Sequence, residues 1–191
     1  MPRQHSEDHL LFVHGSAREP TNEYVFPEDV YKRPKLEAIF SRVTQYCFQG
    51  HTHIPGVFTH DFDFITPDEC DYEFQLGSEK ALINVGSVGQ PRDEDPRSCY
   101  TIFDSETNQL QFRRLSYAND ETARKIYSIE QLHNSLIERV LIADNNDCMI
   151  GDWPTLNFPE LKKEINKLKN TKILHGVGFL IINGKSFLAF S

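Results

Sequence analysis

The feature that most constrains the fold is a tight histidine turn directly after a short apolar run. The run Tyr46-Cys47-Phe48 is typical of a buried strand, and it leads into the tetrad G-H-T-H at residues 50–53. The leading glycine lets the backbone bend without a Cβ clash, and two imidazoles one residue apart can point at one centre. Neutral imidazole is the commonest metal-binding side chain near neutral pH. The tetrad therefore indicates either a metal site at a strand end or a polar turn.

Two further apolar runs end in turns of a related kind. The run at 9–13 leads into V-H-G-S at 13–16, so His14 is expected at the end of a buried strand. The run at 81–85 leads into N-V-G-S-V-G-Q-P-R-D at 84–93, which predicts a glycine-rich turn. Histidines at two strand ends and a glycine-rich turn at a third could form the rim of a metal-dependent site.

The remaining pattern of the first 142 residues favours mixed strands and helices. A helix is expected to begin near Pro34, because Leu36, Ile39, Phe40 and Val43 recur on one helical face. Short strands are predicted at 56–59, 62–65 and 72–76, with a hairpin formed by 100–103 and 110–115. Helices are predicted at 121–128 and 129–141. The fold class is therefore α/β (or α+β).

Composition limits the classes of function. A chain of 191 residues with 39% hydrophobic and 25% charged residues can bury one principal core. The net charge of −8 opposes binding to nucleic acid, whose affinity comes mainly from Lys and Arg. The four cysteines are widely spaced and predict neither a thiolate zinc site nor a redox motif. No run is long enough to span a membrane, so a cytoplasmic location is expected.

The last part of the chain differs in composition from the rest. We assign residues 1–142 to the main domain, 143–157 to a linker and 158–191 to a tail. The tail has 6 Lys and Arg residues against 2 Asp and Glu residues. It predicts a basic helix at 159–170 followed by an apolar hairpin that turns at Asn183-Gly184, a dipeptide suited to a type I′ turn.

The three histidine and glycine motifs together resemble the C-terminal half of the calcineurin-like metallophosphoesterases, in particular their small bacterial and archaeal phosphodiesterase branch. The likeness covers approximately residues 10–139. It implies part of a β-sandwich with flanking helices, in which two divalent cations activate water for attack on a phosphoester. By this resemblance His14 and His51 would bind one metal and His53 the other. Manganese, iron, zinc or nickel would suit such ligands.

The motifs that the first half of this family supplies do not precede His14. The family carries D-x-H, G-D and G-N-H-D elements there, whereas this chain has thirteen residues before His14, and Gly151-Asp152 copies one element by coincidence. We therefore expect a truncated domain, an incomplete catalytic site with no assigned catalytic residue, and weak or absent phosphoester hydrolysis by this chain alone. The alternatives are a non-catalytic binding or regulatory module, or a half-enzyme complemented by a partner chain. A partner or oligomer would cover the exposed sheet edge and the tail hairpin.

The glycine-rich segment supplies the candidate substrate-binding residues. Gly86, Ser87 and Gly89 fit a tight turn that needs a positive φ, and they could also contact a substrate phosphate. Arg92 could face the substrate or form a structural ion pair with Asp93, and the ion pair is slightly favoured. Outside these motifs, Asn22 and Glu23 are interpreted as loop-packing residues, and His5, His9, His60 and His133 as surface residues.

Overall fold

The computed structural model describes residues 4–117, 178–182 and 185–189. One α-helix, α1, spans Arg33–Phe40, and 3₁₀ turns lie at Pro27–Tyr31 and Asp68–Cys70. The strands in chain order are β1 (Gln4–Glu7), β2 (Leu10–Val13), β3 (Tyr46–Gln49), β4 (Gly56–Phe58), β5 (Phe64–Ile65), β6 (Glu73–Gln75), β7 (Ala81–Asn84), β8 (Ser98–Asp104), β9 (Gln109–Leu115), β10 (Gly178–Ile182) and β11 (Lys185–Ala189).

The strands form two sheets. The first has the order β1-β2-β3-β7-β4-β5, with β2, β3 and β7 parallel to one another. The second has the order β11-β10-β8-β9-β6, and β10 runs parallel to β8. Because parallel neighbours end at the same edge, β2, β3 and β7 bring their following loops together.

Two apolar layers hold these elements in place. Between the sheets the ring of Phe48 lies 5.4 Å from Phe12 and 5.4 Å from Phe103, so the core joins both sheets. The opposite face of the first sheet packs on α1, where Leu36 and Ile39 are fully buried. Successive side chains of a strand point to opposite faces, which is why one sheet can serve both layers. This arrangement confirms the expected mixed α/β class, with two packed sheets and a flanking helix.

Most local predictions within the described residues are confirmed. The helix near Pro34 is α1, although it ends at Phe40 and leaves Val43 buried just beyond it. The hairpin of β8 and β9 and the antiparallel pair of β10 and β11 both form. The predicted helices at 121–141, the linker at 143–157, the basic helix at 159–170 and the turn at 183–184 lie outside the described residues.

The sheet edge beside β2 is occupied by a strand that the sequence pattern did not predict. Strand β1 pairs antiparallel with β2 from Gln4↔Val13 to Glu7↔Leu10, and its four side chains are exposed. The open edge of β2 is therefore covered by the chain itself. In the part of the chain that the structure describes, no helix has the length and apolar character needed to cross a membrane.

Candidate functional site

Three loops meet at the carboxyl edge of the parallel strands β2, β3 and β7. The first begins at His14, the second holds the G-H-T-H turn, and the third begins at Val85. The backbone ties them together, since the Gly50 N–H donates to the His14 carbonyl at 3.1 Å and the Arg92 N–H donates to the His53 carbonyl at 3.2 Å. The fold thus assembles all three sequence motifs in one place.

His14 and His51 form a direct imidazole pair. His51 Nδ1 lies 2.6 Å from His14 Nε2, and the ring centroids are 4.4 Å apart at 71°. One of the two facing nitrogens carries the proton and the other accepts it. On the far side of the pair, His14 Nδ1 is buried and has no hydrogen-bond partner within the described residues, whereas His51 lies against the backbone of Asn22.

His53 lies two residues further along the same turn, with its ring orientation fixed. Its Nδ1 donates to the Gln90 carbonyl at 2.7 Å, because a carbonyl oxygen can only accept. The proton on Nδ1 leaves a lone pair on Nε2, which is the usual arrangement of a metal-binding histidine.

The turn that carries these imidazoles has a strained backbone. His51 and His53 adopt φ values of 64° and 62°, each costing about 1 kcal/mol or more for a residue other than glycine. Asn84, fully buried at the end of β7, offsets this cost. Its Nδ2 donates to the Gly50 carbonyl at 2.9 Å and to Thr52 Oγ1 at 2.7 Å.

Burial keeps all three imidazoles neutral near pH 7. Burial, and then the neighbouring His51, lowers the pKa of His14 to about 4. Burial, and then the positive charge of Arg92, lowers the pKa of His53 to about 3, and the same two causes lower the pKa of His51. Neutral imidazoles keep the lone pairs that a metal requires.

Arg92 contributes a buried positive charge beside the histidines. The residue is 6% exposed, and its Nη2 donates to Gln90 Oε1 at 3.1 Å. No carboxylate lies within ion-pair distance of it among the described residues. The predicted ion pair between Arg92 and Asp93 is wrong, because Asp93 instead pairs with Arg114 of β9.

The glycine-rich loop has the geometry that its sequence predicts. Gly86 has φ +78°, and a Cβ there would lie 2.7 Å from the Cβ of Cys99. The Ser87 hydroxyl is buried and accepts the Gly89 and Gln90 N–H groups at 3.3 and 2.9 Å. Gly86 and Ser87 thus shape the loop from within, while Gly89 is partly exposed. Whether this loop contacts a phosphate stays a prediction.

The first loop includes residues that the sequence motifs did not single out as part of the site. Glu23 accepts hydrogen bonds from Ser16 and Arg18, as a loop-packing residue would. The ring of Tyr24 lies 4.0 Å from that of His51, a contact that no motif indicates. Only the position of Tyr24 in the loop after His14 could have suggested it.

The imidazoles suit part of a metal site but do not complete one. Within the described residues, no group of three or more His, Cys, Asp or Glu side chains is arranged to hold a metal ion. Two nitrogens on one zinc ion would stand roughly 3 Å apart or more, given bonds of about 2.0–2.1 Å, so the His14–His51 pair would have to separate slightly. These imidazoles could therefore supply part of a two-metal centre, but the described residues alone do not complete one.

Comparisons with known proteins give matches over part of the chain. No family model matches the chain. An uncharacterised protein of Methanocaldococcus jannaschii is 31% identical over 121 residues, which cover 61% of this chain and 45% of that protein. The crystal structure of a metallophosphoesterase from Sphaerobacter thermophilus matches this chain with a TM-score of 0.60 and 28% identity, and the match covers 58% of the Sphaerobacter protein. The chain thus spans about half the length of these relatives. Over 75% of its own length, it shares the fold of a metallophosphoesterase.

Proposed function

We propose that this chain supplies the imidazole and arginine part of a metal-dependent phosphoesterase site, and that by itself it binds phosphoester groups but hydrolyses them weakly or not at all. His14 and His51 would hold one divalent ion and His53 a second. Arg92, with the Gly86 loop beside it, would bind the phosphate. The metal would be manganese, iron, zinc or nickel.

The observation that carries the proposal is the buried guanidinium of Arg92, which has no carboxylate partner among the described residues. A buried charge without a counter-charge is strongly destabilising, and an anion bound beside Arg92 would offset that cost. The guanidinium fork matches phosphate oxygens and can bind two of them at once. The neighbouring imidazoles are neutral and therefore do not repel a second cation, such as a metal ion, from the same site.

A divalent metal would supply an activated water and would neutralise charge on the phosphoryl oxygens. Because the described residues do not complete a two-metal centre, we derive no reaction step through the metal. The chain's own contribution is limited to three imidazole donors, one cation for the phosphate and a rigid turn that fixes them.

Phosphate binding tests the role of Arg92. Titration calorimetry with inorganic phosphate should give a measurable affinity for the wild-type chain and at least a tenfold weaker one for Arg92→Met. Arg113→Met is the matched control, because Arg113 is an exposed arginine of β9. An equal loss in both variants, or no binding by wild type, would contradict the proposal.

Turnover tests the second half of the proposal. With bis(p-nitrophenyl) phosphate and added Mn²⁺, we expect slow hydrolysis or none. Rapid hydrolysis that is abolished by His51→Ala and kept by His60→Ala, which alters an exposed histidine, would show that this chain is a complete enzyme.

The absence of a three-ligand metal group among the described residues favours one alternative, in which a partner chain completes the centre. The partner would carry the D-x-H, G-D and G-N-H-D elements. Mixing the two chains should raise both the bound metal per complex and the turnover. If mixing changes neither quantity, complementation is excluded, and a non-catalytic binding module remains.

A further inference from the structure

The loop between β2 and α1 folds back onto the histidine turn. It closes early, because the N–H groups of His14 and Gly15 both donate to the Pro20 carbonyl, at 3.1 and 2.8 Å. Its chain then returns so that the ring of Tyr24 lies 4.0 Å from the His51 ring at 37°. The ring of Phe26 stacks on Tyr24 at 5.4 Å with nearly parallel planes. Tyr24 is thus held between Phe26 and the imidazole.

An ion pair at the start of α1 anchors the backbone of this loop. Lys35 Nζ donates to the Tyr24 carbonyl at 2.6 Å and also pairs with Asp29. Asp29 is 1% exposed, and it accepts the Phe26 N–H at 3.0 Å. Because Lys35 and Asp29 fix the backbone from the Tyr24 carbonyl to the Phe26 N–H, the ring has little freedom to leave His51.

We infer that Tyr24 is a positioning residue, whose ring holds the His51 imidazole with Nδ1 turned toward His14. The terminal torsion of a histidine is broad and roughly two-fold, so an imidazole without a packed neighbour can turn over. Such a rotation puts Cδ2 of His51 where Nδ1 was and breaks the hydrogen bond to His14 that selects one tautomer. The Tyr24 ring, whose centroid lies 4.0 Å from that of His51, would obstruct such a rotation. The consequence for metal affinity rests on the function proposed above, but the orientation of the ring does not.

Orientation is measured in the metal-free chain. Long-range ¹H–¹⁵N NMR correlations at pH 7.5 should give a single His51 tautomer in wild type. The same single tautomer is expected in Tyr24→Phe, which keeps the ring, whereas averaged nitrogen shifts are expected in Tyr24→Ala. Tyr31→Ala is the matched control, because Tyr31 lies in the same loop and is 87% exposed. If Tyr24→Ala fails to fold, Tyr24→Ser replaces it, since serine also leaves the space beside His51 unfilled.

Metal affinity provides the second measurement. Competition with a chromophoric chelator should show Zn²⁺ binding about tenfold weaker in Tyr24→Ala than in wild type, as is usual when a supporting contact of a ligand is lost. Tyr24→Phe and Tyr31→Ala should bind Zn²⁺ as wild type does. An unchanged tautomer and unchanged affinity in the alanine or serine variant would overturn the inference. Absence of Zn²⁺ binding in wild type would count against the proposed function instead, and the NMR result would still decide the role of Tyr24.

Discussion

Asn84 offers the sharpest test of how the histidine turn is stabilised. Its side chain is 1% exposed and makes three hydrogen bonds: to the Gly50 carbonyl, to Thr52 Oγ1, and from the Gly86 N–H at 3.0 Å. Replacement by alanine removes all three and leaves their partners buried. At about 0.5–1.5 kcal/mol for each bond, Asn84→Ala should lower the free energy of unfolding by about 2–4 kcal/mol.

Urea unfolding followed by circular dichroism measures this loss. Asn22→Ala is the matched control, because it makes the same substitution at an exposed position and should change stability by less than about 0.5 kcal/mol. Asn84→Asp should cost more than Asn84→Ala at pH 7, since a carboxylate cannot donate to the Gly50 carbonyl or to Thr52 Oγ1.

One result would refute this account. If Asn84→Ala unfolds within about 0.5 kcal/mol of wild type, with an unchanged dependence on urea, the three bonds do not stabilise the turn. The strained conformation of the two histidines would then need another explanation. A loss confined to Asn84→Asp would point to charge burial rather than to the hydrogen bonds.

Three further predictions concern neighbouring parts of the fold. Gly86→Ala should lower the free energy of unfolding in urea by about 2–4 kcal/mol, because residue 86 has a left-handed backbone and its new Cβ would lie 2.7 Å from the Cβ of Cys99. An unchanged free energy of unfolding would show that the loop can relieve this crowding without cost. Burial alone would raise the pKa of Asp29, but hydrogen bonds, led by the one from Lys35, hold this pKa below its ordinary value. The ionised carboxylate therefore stabilises the folded chain above about pH 4, and this stabilisation is lost as the pH falls through the folded-state pKa. The stability advantage over Asp29→Asn should therefore shrink only at acid pH, and a pH-independent difference would exclude this cause. Gln49→Met should raise the free energy of unfolding, followed in thermal melts, by about 1 kcal/mol, because the side-chain amide oxygen and nitrogen of Gln49 are buried without hydrogen-bond partners among the described residues. A lower free energy of unfolding would show that the amide does have a hydrogen-bond partner.

The strands and turns nearest the candidate site could be predicted from sequence because their signals are local. Strand β3 is an apolar run that ends at Gly50, and the helix follows from Pro34 and the spacing of Leu36 and Ile39. Gly86 adopts the positive φ that the glycine-rich segment predicts. In each case, residues within one element determine the outcome.

The sequence did not predict the features that depend on residues distant in the chain. Strand β1 is polar and exposed, and only its pairing with β2 makes it a strand. The expected partner of Asp93 was its neighbour Arg92, but Arg114, 21 residues away, takes that place. Tyr24 lies in an irregular loop whose path depends on Asp29 and Lys35. No periodicity in the sequence indicates such contacts.

The parallel pairing of β2, β3 and β7 also sets when the site can form during folding. His14 and His51 are 37 residues apart in the chain, as are His53 and Gln90, whereas the hairpins join residues close in sequence. Contacts between distant residues carry a larger loop-closure cost and form late. We therefore expect that no short fragment of the chain forms the contact between the two imidazoles by itself. A metal or phosphate bound there would stabilise only the fully paired sheet, so ligand affinity and folding would rise and fall together.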